Sequence, residues 1–268
     1  MHETERHLAI ISALTAKPLV NLSELLDLTG ASEATVRRDV ARLHSLGKLI
    51  RVRGGAHSIG GLGGGRLDAP DYAATKDQQL AEKRAIARAA ASLCADGDAI
   101  IINGGTTTFQ MVFPLTDAKL QVFTNSFPVA DHLIRHSRNA VLLPSGSIYR
   151  EQNIILSPYD EDGSRFFFAQ RIFVGTRGIG PHGLAENDPL LVQAVQRLLG
   201  QAKELVVLTD SSKFKMGGSL HVCPLERVDI LITDPAIRDR DASMVEAAGV
   251  RLIVADTDAA EATCRVGK

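Results

Sequence analysis

Seven short runs constrain this chain more than anything else in it: DAIIIN (98–103), LQVFTN (120–125), NAVLLPSG (139–146), QRIFVGT (170–176), ELVVLTD (204–210), DILITD (229–234) and VRLIVAD (250–256). Most are too continuously apolar for strands with one wet face. Between them, the segments Glu82 to Leu93, Pro128 to Arg138 and Pro189 to Gln201 have helical length and composition. Buried strands separated by helices predict βα units around a mostly parallel sheet, an α/β fold. Ligands of such sheets sit outside the carboxyl ends of the strands. The residues just after each run are therefore the candidates for binding.

The start of the chain reads differently. Leu8, Ile10, Ile11 and Leu14 make one helical face, and Val20, Leu22, Leu25, Leu26 and Leu28 a second, shorter one. After a break at TGAS, Ser32 is placed to cap a third helix, Glu33 to His44, with a core face of Ala34, Val36, Val40 and Leu43. Gly47 stops it, and Leu49, Ile50 and Val52 then read as a strand entering a two-glycine turn, the pattern of a hairpin wing. A glycine-rich stretch from Ser58 to Pro70 carries no helix or strand preference. It lacks the flanking strand and capped helix of a dinucleotide loop, so it reads as a linker. The expected organisation is a winged helix-turn-helix at 1–57, a linker at 58–71 and an α/β domain at 72–268.

The formal net charge is only −1, yet Arg37, Arg38, Arg42, Lys48, Arg51 and Arg53 cluster in one span that holds two acids, Glu33 and Asp39. Such local basic density is the footprint of a nucleic-acid surface. Aromatic residues make up 4% of the chain and Trp is absent, which argues against stacking platforms for single strands and leaves double-stranded DNA. In a helix-turn-helix the second helix of the pair enters the major groove. Ser32, Glu33, Thr35, Arg37, Arg38 and Arg42 lie at its start or on its outer side, and Arg51 and Arg53 on the wing are placed for backbone or minor groove. Arg37 and Arg38 are about 100° apart around the helix, so one is expected to read a base and the other to grip a phosphate. The competing reading is a salt-bridged surface helix.

In the second domain, NGGTTT (103–108) follows a buried run and offers backbone amides and hydroxyls. It is either a phosphate-cradling loop or an ordinary strand-to-helix connection with a Thr cap. A second loop, SGS (145–147), and Lys213 follow two further runs, and Lys213 supplies a counter-charge for an anion. His132 and His136 share a helix face but lack a third metal ligand, so they read as a solvent-facing pair, and no metal or cofactor is expected. Cys94, Cys223 and Cys264 form no C-x-x-C pattern and read as reduced thiols. With neither a signal-peptide pattern nor an 18-residue apolar window, the expectation is a soluble, cytoplasmic protein without a membrane partner.

The text SEATVRRDVARLHSLGKLIRVRGGA (32–56) resembles the winged helix-turn-helix of the DeoR family of bacterial sugar-metabolism regulators, whose pattern is T-x-R-R-D-x-x-x-L followed by L-x-R-x-x-G-G-A. EKRAIA (82–87), GGTTT (104–108), FTNS (123–126), GPHGL (180–184) and DSSKF (210–214) resemble, in order, the landmarks of that family's sensor domain. The resemblance implies a sensor fold similar to ribose-phosphate isomerases and glucosamine-phosphate deaminases, a homo-oligomer (dimer or tetramer), and a phosphorylated effector that relieves repression of a carbohydrate-catabolism operon. It also implies effector contacts at Gly105, Thr106, Thr107, Asn125, Gly146 and Lys213, with Asn103 beside them. Where the family mostly has Asp this chain has Asn103; Ser145-Gly146 replaces Gly-Gly; and PLLVQAVQR (189–197) lacks the usual Glu and Lys. A neutral Asn103 removes a carboxylate from the ligand's surroundings and makes room for a more acidic ligand, such as a sugar-acid phosphate. The alternative is an isomerase or deaminase-like enzyme carrying an accessory DNA-binding module. That chemistry needs a base beside the sugar carbon. Asn103 cannot serve, which leaves Glu186, Asp188 and His182, and no catalytic role is expected.

Overall fold

The computed structural model describes residues 2–16, 19–45, 48–52, 55–57, 72–157 and 163–257. The expected linker, 58–71, and Cys264 lie outside the described residues. Two compact units are present, residues 1–67 and 68–268.

The first unit runs α1 (Glu3–Ala16), β1 (Leu19–Asn21), α2 (Leu22–Thr29), α3 (Glu33–Ser45), β2 (Ile50–Val52) and β3 (Gly55–His57). A capping box starts α2: Asn21 Oδ1 accepts from the Glu24 amide at 2.9 Å and Glu24 Oε2 from the Asn21 amide at 3.2 Å. Gly30, at φ 62°, ends that helix by donating to the Leu26 carbonyl at 2.8 Å. Ser32 opens α3 as expected, its carbonyl accepting from the Val36 amide at 3.0 Å and its Oγ from the Thr35 amide at 3.4 Å. Ile10, Leu14, Val20, Leu25, Val36, Val40, Leu43, Leu49 and Ala56 form the core.

Three expected core residues are exposed instead. Leu8 is two residues from Ile10 and Ala34 two from Val36, about 200° around a helix, so neither shares the buried face. Leu28 sits at the open last turn of α2. The position on α3 that Ala34 does not take goes to Asp39, which shares a face with Val36 and is 5% exposed. Strands β2 and β3 form the expected antiparallel hairpin, and β1, not foreseen, adds to the far side of β3. Gly55 is in β3 rather than in the turn, and a Cβ there would strike the Val20 carbonyl.

The second unit contains α4 (Tyr72–Thr75), α5 (Leu80–Ala91), β4 (Ala99–Ile102), α6 (Thr106–Phe109), β5 (Gln121–Thr124), α7 (Phe127–His136), β6 (Ala140–Leu142), β7 (Ser147–Tyr149) and β8 (Ile154–Leu156). It continues with β9 (Ala169–Val174), β10 (Gly178–Gly180), β11 (Gly183–Glu186), α8 (Pro189–Leu199), β12 (Ala202–Leu208), β13 (Leu220–Cys223), β14 (Ile230–Thr233), α9 (Asp239–Ala247) and β15 (Arg251–Val254). All seven apolar runs enter one sheet of order β15-β14-β12-β9-β4-β5-β6, parallel throughout. Both faces are covered. Ile100, Ile102, Val122, Phe173 and Val206 pack with α5 and α7, while Ile101, Phe123, Ile172, Val207 and Leu231 pack with α8 and α9. That double burial is why the runs are apolar without alternation.

From β4 the chain builds outward through β5 and β6, then returns to lay β9, β12, β14 and β15 on the other side. The order therefore reverses between β4 and β9, a topological switch point, where open α/β sheets hold ligands. The β7–β8 hairpin and the small antiparallel sheet β10-β11-β13 were not foreseen. Both border this end of the sheet.

Candidate functional site

On α3, Glu33, Arg37, Arg38 and Arg42 are exposed, as is Arg51 on β2; Arg53 lies outside the described residues. Arg37 pairs with Glu33 one turn earlier at 2.7 Å, and Arg42 with Glu3 of α1 at 2.6 Å. Arg38 and Arg51 make no ion pair among the described residues, so the salt-bridged reading covers only part of the cluster. Thr35 is half-buried, its hydroxyl 2.9 Å from Ser32 Oγ.

Asp39 leaves this surface altogether. Arg6 of α1 donates to it through Nε at 2.7 Å and Nη2 at 3.3 Å, and His7 Nε2 lies 3.3 Å from its Oδ1. Burial pushes the Asp39 carboxyl up, but its hydrogen bonds and attraction to Arg6, then His7, outweigh this and hold it below the usual carboxylate value. The acid thus ties α3 to α1 and does not dilute the outward positive charge. Glu3, His7 and Asp39 bring possible metal-ligand atoms within 4.8 Å, but the Arg6 guanidinium already occupies Asp39.

In the second unit a cavity of about 140 Å³ opens at the switch point. Its wall takes Asn103, Gly105, Thr106 and Thr107 from after β4, Thr176 and Arg177 from after β9, and Lys213 from after β12. Five residues nominated from sequence therefore meet in one place. Two do not. Asn125 stands behind the loop, 3% exposed, its Oδ1 accepting the Gly104 amide at 2.8 Å. Gly146, between β6 and β7, presses its Cα against the Leu156 carbonyl, where a Cβ would collide. Of the three threonine hydroxyls, Thr108 is consumed locally, donating to the carbonyls of Asn103 at 2.7 Å and Gly105 at 3.1 Å. No threonine caps α6; Gly105 occupies that position, without a side-chain cap.

Sequence reading missed Tyr72 and Thr75 of α4, Gln152 and Arg177, and named Glu186 only as a possible acid or base; all five are on the same wall. Arg177 directly follows the run 170–176 and was within reach of the strand-end rule. The others come from outside the βα units. Burial lifts the Glu186 carboxyl above its ordinary value, against the pull of the Asn187 amide and of Arg177. Asn103 Oδ1 and Arg177 Nε are buried without a hydrogen-bond partner among the described residues. Among the described residues Lys213 Nζ has only the Met216 sulfur, at 3.6 Å, a weak acceptor. These are the groups an anionic, hydroxylated molecule would satisfy. A neighbouring cavity of about 260 Å³ includes Asn125, Pro144 and Ser147, but Phe123, Leu156, Leu190 and Leu198 make its lining mainly apolar, and Arg197 there donates to the Ser157 carbonyl at 3.2 Å.

The remaining titratable candidates have other work. Asp188 caps α8, accepting the Leu190 amide at 2.9 Å, and takes the Tyr149 hydroxyl at 2.8 Å. His182 is exposed and off the pocket wall. His132 is not the solvent-facing residue expected: it is half-buried edge-on to Phe113 (5.0 Å) and Phe109 (6.2 Å), with His136 at 4.6 Å. Burial and then His136 lower its pKa. Cys94 and Cys223 are free thiols, each pushed up to about 11 by burial. Among the described residues no helix is long and apolar enough to cross a membrane.

A winged helix-turn-helix with unpaired arginines on its outer side, carried by a chain with an α/β unit of this kind, defines a DNA-binding transcriptional regulator. Residues 6–60 match the model of the DeoR-like helix-turn-helix domain and residues 78–235 that of the DeoR C terminal sensor domain. The chain belongs to the DeoR family. It is 30% identical over 256 residues to the HTH-type transcriptional regulator UlaR of Shigella dysenteriae serotype 1, covering 94% of this chain and 99% of that protein. UlaR of Escherichia coli strain K12 / DH10B gives the same identity and coverage. Among solved structures, ribose 5-phosphate isomerase A of Methanocaldococcus jannaschii aligns with 49% of this chain and 52% of its own at 17% identity and a TM-score of 0.36. The tetrameric eIF2B-beta2-delta2 complex from C. thermophilum aligns with 85% of this chain and 65% of its own at 10% identity and a TM-score of 0.41.

Proposed function

We propose that this regulator is a repressor of a carbohydrate-catabolism operon, in which residues 1–57 bind double-stranded operator DNA and residues 72–268 assemble a homo-oligomer and sense a phosphorylated sugar, polyol or sugar acid. The observation that carries the effector half is the meeting of the Thr106–Thr107 loop with Lys213 at the switch point. Lys213 and the loop hold the phosphate. Arg177 adds a second cation on the same wall, and the neutral Asn103 takes a ligand hydroxyl. This reading assigns no catalysis: among the described residues Glu186 is the one carboxylate on the pocket wall, and no histidine lines that wall to share acid–base work with it. Effector binding releases the operator by favouring one state of the assembly over the other.

A thermal-shift screen of phosphorylated sugars, polyols and sugar acids tests this. A ligand at a hundred times its Kd adds about 2.7 kcal/mol, or about 5–11 °C for a unit of this size. Lys213→Ala is expected to abolish the shift and leave operator affinity intact, giving a repressor that cannot be induced. Thr107→Val weakens the response less, because the loop amides remain. Normal induction of Lys213→Ala would place the anion elsewhere.

A further inference from the structure

Two of the pocket's wall residues, Tyr72 and Thr75, belong to α4, the first described element after the stretch 58–71 that follows the DNA-binding unit in the chain. A four-residue helix does not hold itself in water, so α4 depends on its anchors. Lys83 of α5 donates from Nζ to the Thr75 carbonyl at 2.7 Å. The Tyr72 amide donates to the Glu151 carbonyl at 3.0 Å, next to Gln152 on the pocket wall. The Tyr72 ring meets Phe109 edge-on at 6.5 Å, and Phe109 ends the same short helix that Thr106 and Thr107 begin.

Lys83 is the unusual member. It is 3% exposed on the core-facing side of α5, one turn before Ile86 and Ala87 of the core, where an apolar side chain would cost far less to bury. The charged groups around it are Asp210, Lys213, Asp77 and Glu82. Lys213 works against its ammonium and Asp210 for it. An anion held at Lys213 would offset that repulsion and strengthen the hold of Lys83 on Thr75.

We infer that Lys83 is a positioning residue that clamps α4 to the pocket, and that α4 is the element through which occupancy of the pocket is transmitted to the chain leading to the DNA-binding unit. The inference rests on the effector reading proposed above. It assigns Lys83 no contact with the ligand. Its signature is thus a loss of coupling between two binding events that each persist.

The test uses the full chain, a fluorescent duplex from the promoter region of its own gene, and four probes: ribose 5-phosphate, fructose 6-phosphate, glucitol 6-phosphate and 6-phosphogluconate. Thermal shift gives probe affinity, and anisotropy gives duplex affinity with and without saturating probe. For Lys83→Met, duplex affinity without probe stays within about twofold of wild type and probe affinity falls only a few-fold. The ratio of duplex affinities without and with probe, about 5–150-fold in coupled systems, falls toward one. A ratio equal to wild type overturns the inference, as does a loss of probe binding that fully accounts for the lost release. Should Lys83→Met fail to fold, Tyr72→Ala and Tyr72→Phe decide: coupling at saturating probe lost in the first and kept in the second supports α4, and coupling kept in both overturns it. If no probe stabilises wild type, the effector reading falls and this inference with it. If Lys213→Ala abolishes probe binding while Lys83→Met couples normally, only this inference falls.

Discussion

Asn125→Ala separates holding the loop from touching the ligand. Asn125 is 3% exposed and its Oδ1 takes the Gly104 amide at 2.8 Å; its own carbonyl, which accepts from Ile155 at 2.7 Å, is unaffected by the change. Removing the side chain leaves one amide at a half-buried glycine without its acceptor. A donor left unsatisfied in this way costs about 1–3 kcal/mol. For a unit of this size, each kcal/mol is worth about 2–4 °C, so the melting temperature is expected to fall by about 2–12 °C, toward the low end if water reaches Gly104. Hydrogen exchange across residues 103–107 should accelerate in the same variant, because Gly104 leads directly into the Gly105–Thr107 wall of the pocket. Thermal unfolding and peptide-resolved exchange measure both. An Asn125→Ala chain with wild-type melting and wild-type exchange, but weakened effector binding, would refute this account and return Asn125 to the direct-contact role read from sequence.

On the DNA side, Arg38→Ala is expected to weaken operator binding more than Arg37→Ala, because Arg38 enters the encounter without an ion pair to break, whereas Arg37 must leave Glu33. Titrations at several salt concentrations show whether the lost contact is a phosphate, which makes the salt slope shallower by about one unit. Glu33→Gln, which frees Arg37, should tighten non-specific binding in the same assay. The folded-state pKa of Asp39 is depressed, so its contribution is complete above the ordinary carboxylate value of 3.8 and is lost as pH falls through the folded value. Urea unfolding between pH 5 and pH 2 should therefore show an acid loss in wild type that sets in near pH 4 and deepens below it, and in Asp39→Asn a lower plateau with a flatter acid limb. Cys94 and Cys223, with thiols pushed up to about 11, should resist a thiol reagent at pH 8 in the folded protein and label only on unfolding. Mass mapping of the labelled peptides reads this directly.

Much of the molecule is legible in its sequence because local rules act on contiguous residues. The runs at 98–103 and 170–176 announce doubly buried strands, Ser32 and Gly30 mark a helix start and stop by backbone chemistry, and the family pattern around Thr35 to Leu43 fixes the helix-turn-helix. The strand-end rule brings Thr106, Thr107 and Lys213 to one edge without any coordinates. What tertiary structure decided is which residues meet across long separations. The side of the sheet on which β9 returns brings Arg177 to the same pocket wall as Asn103, and the pairing of β11 with β13 brings in Glu186. Asp39 reads as one more charge on a basic helix until α1 packs and Arg6 draws it inward. Asn125 and Gly146 look alike as strand-end residues, yet one props the loop and the other lies against the Leu156 carbonyl at the start of β7. Periodicity and capping depend on neighbours along the chain, so they survive in the linear text; burial, partner choice and the raised or lowered pKa of a side chain depend on neighbours in space, which only the packed fold supplies.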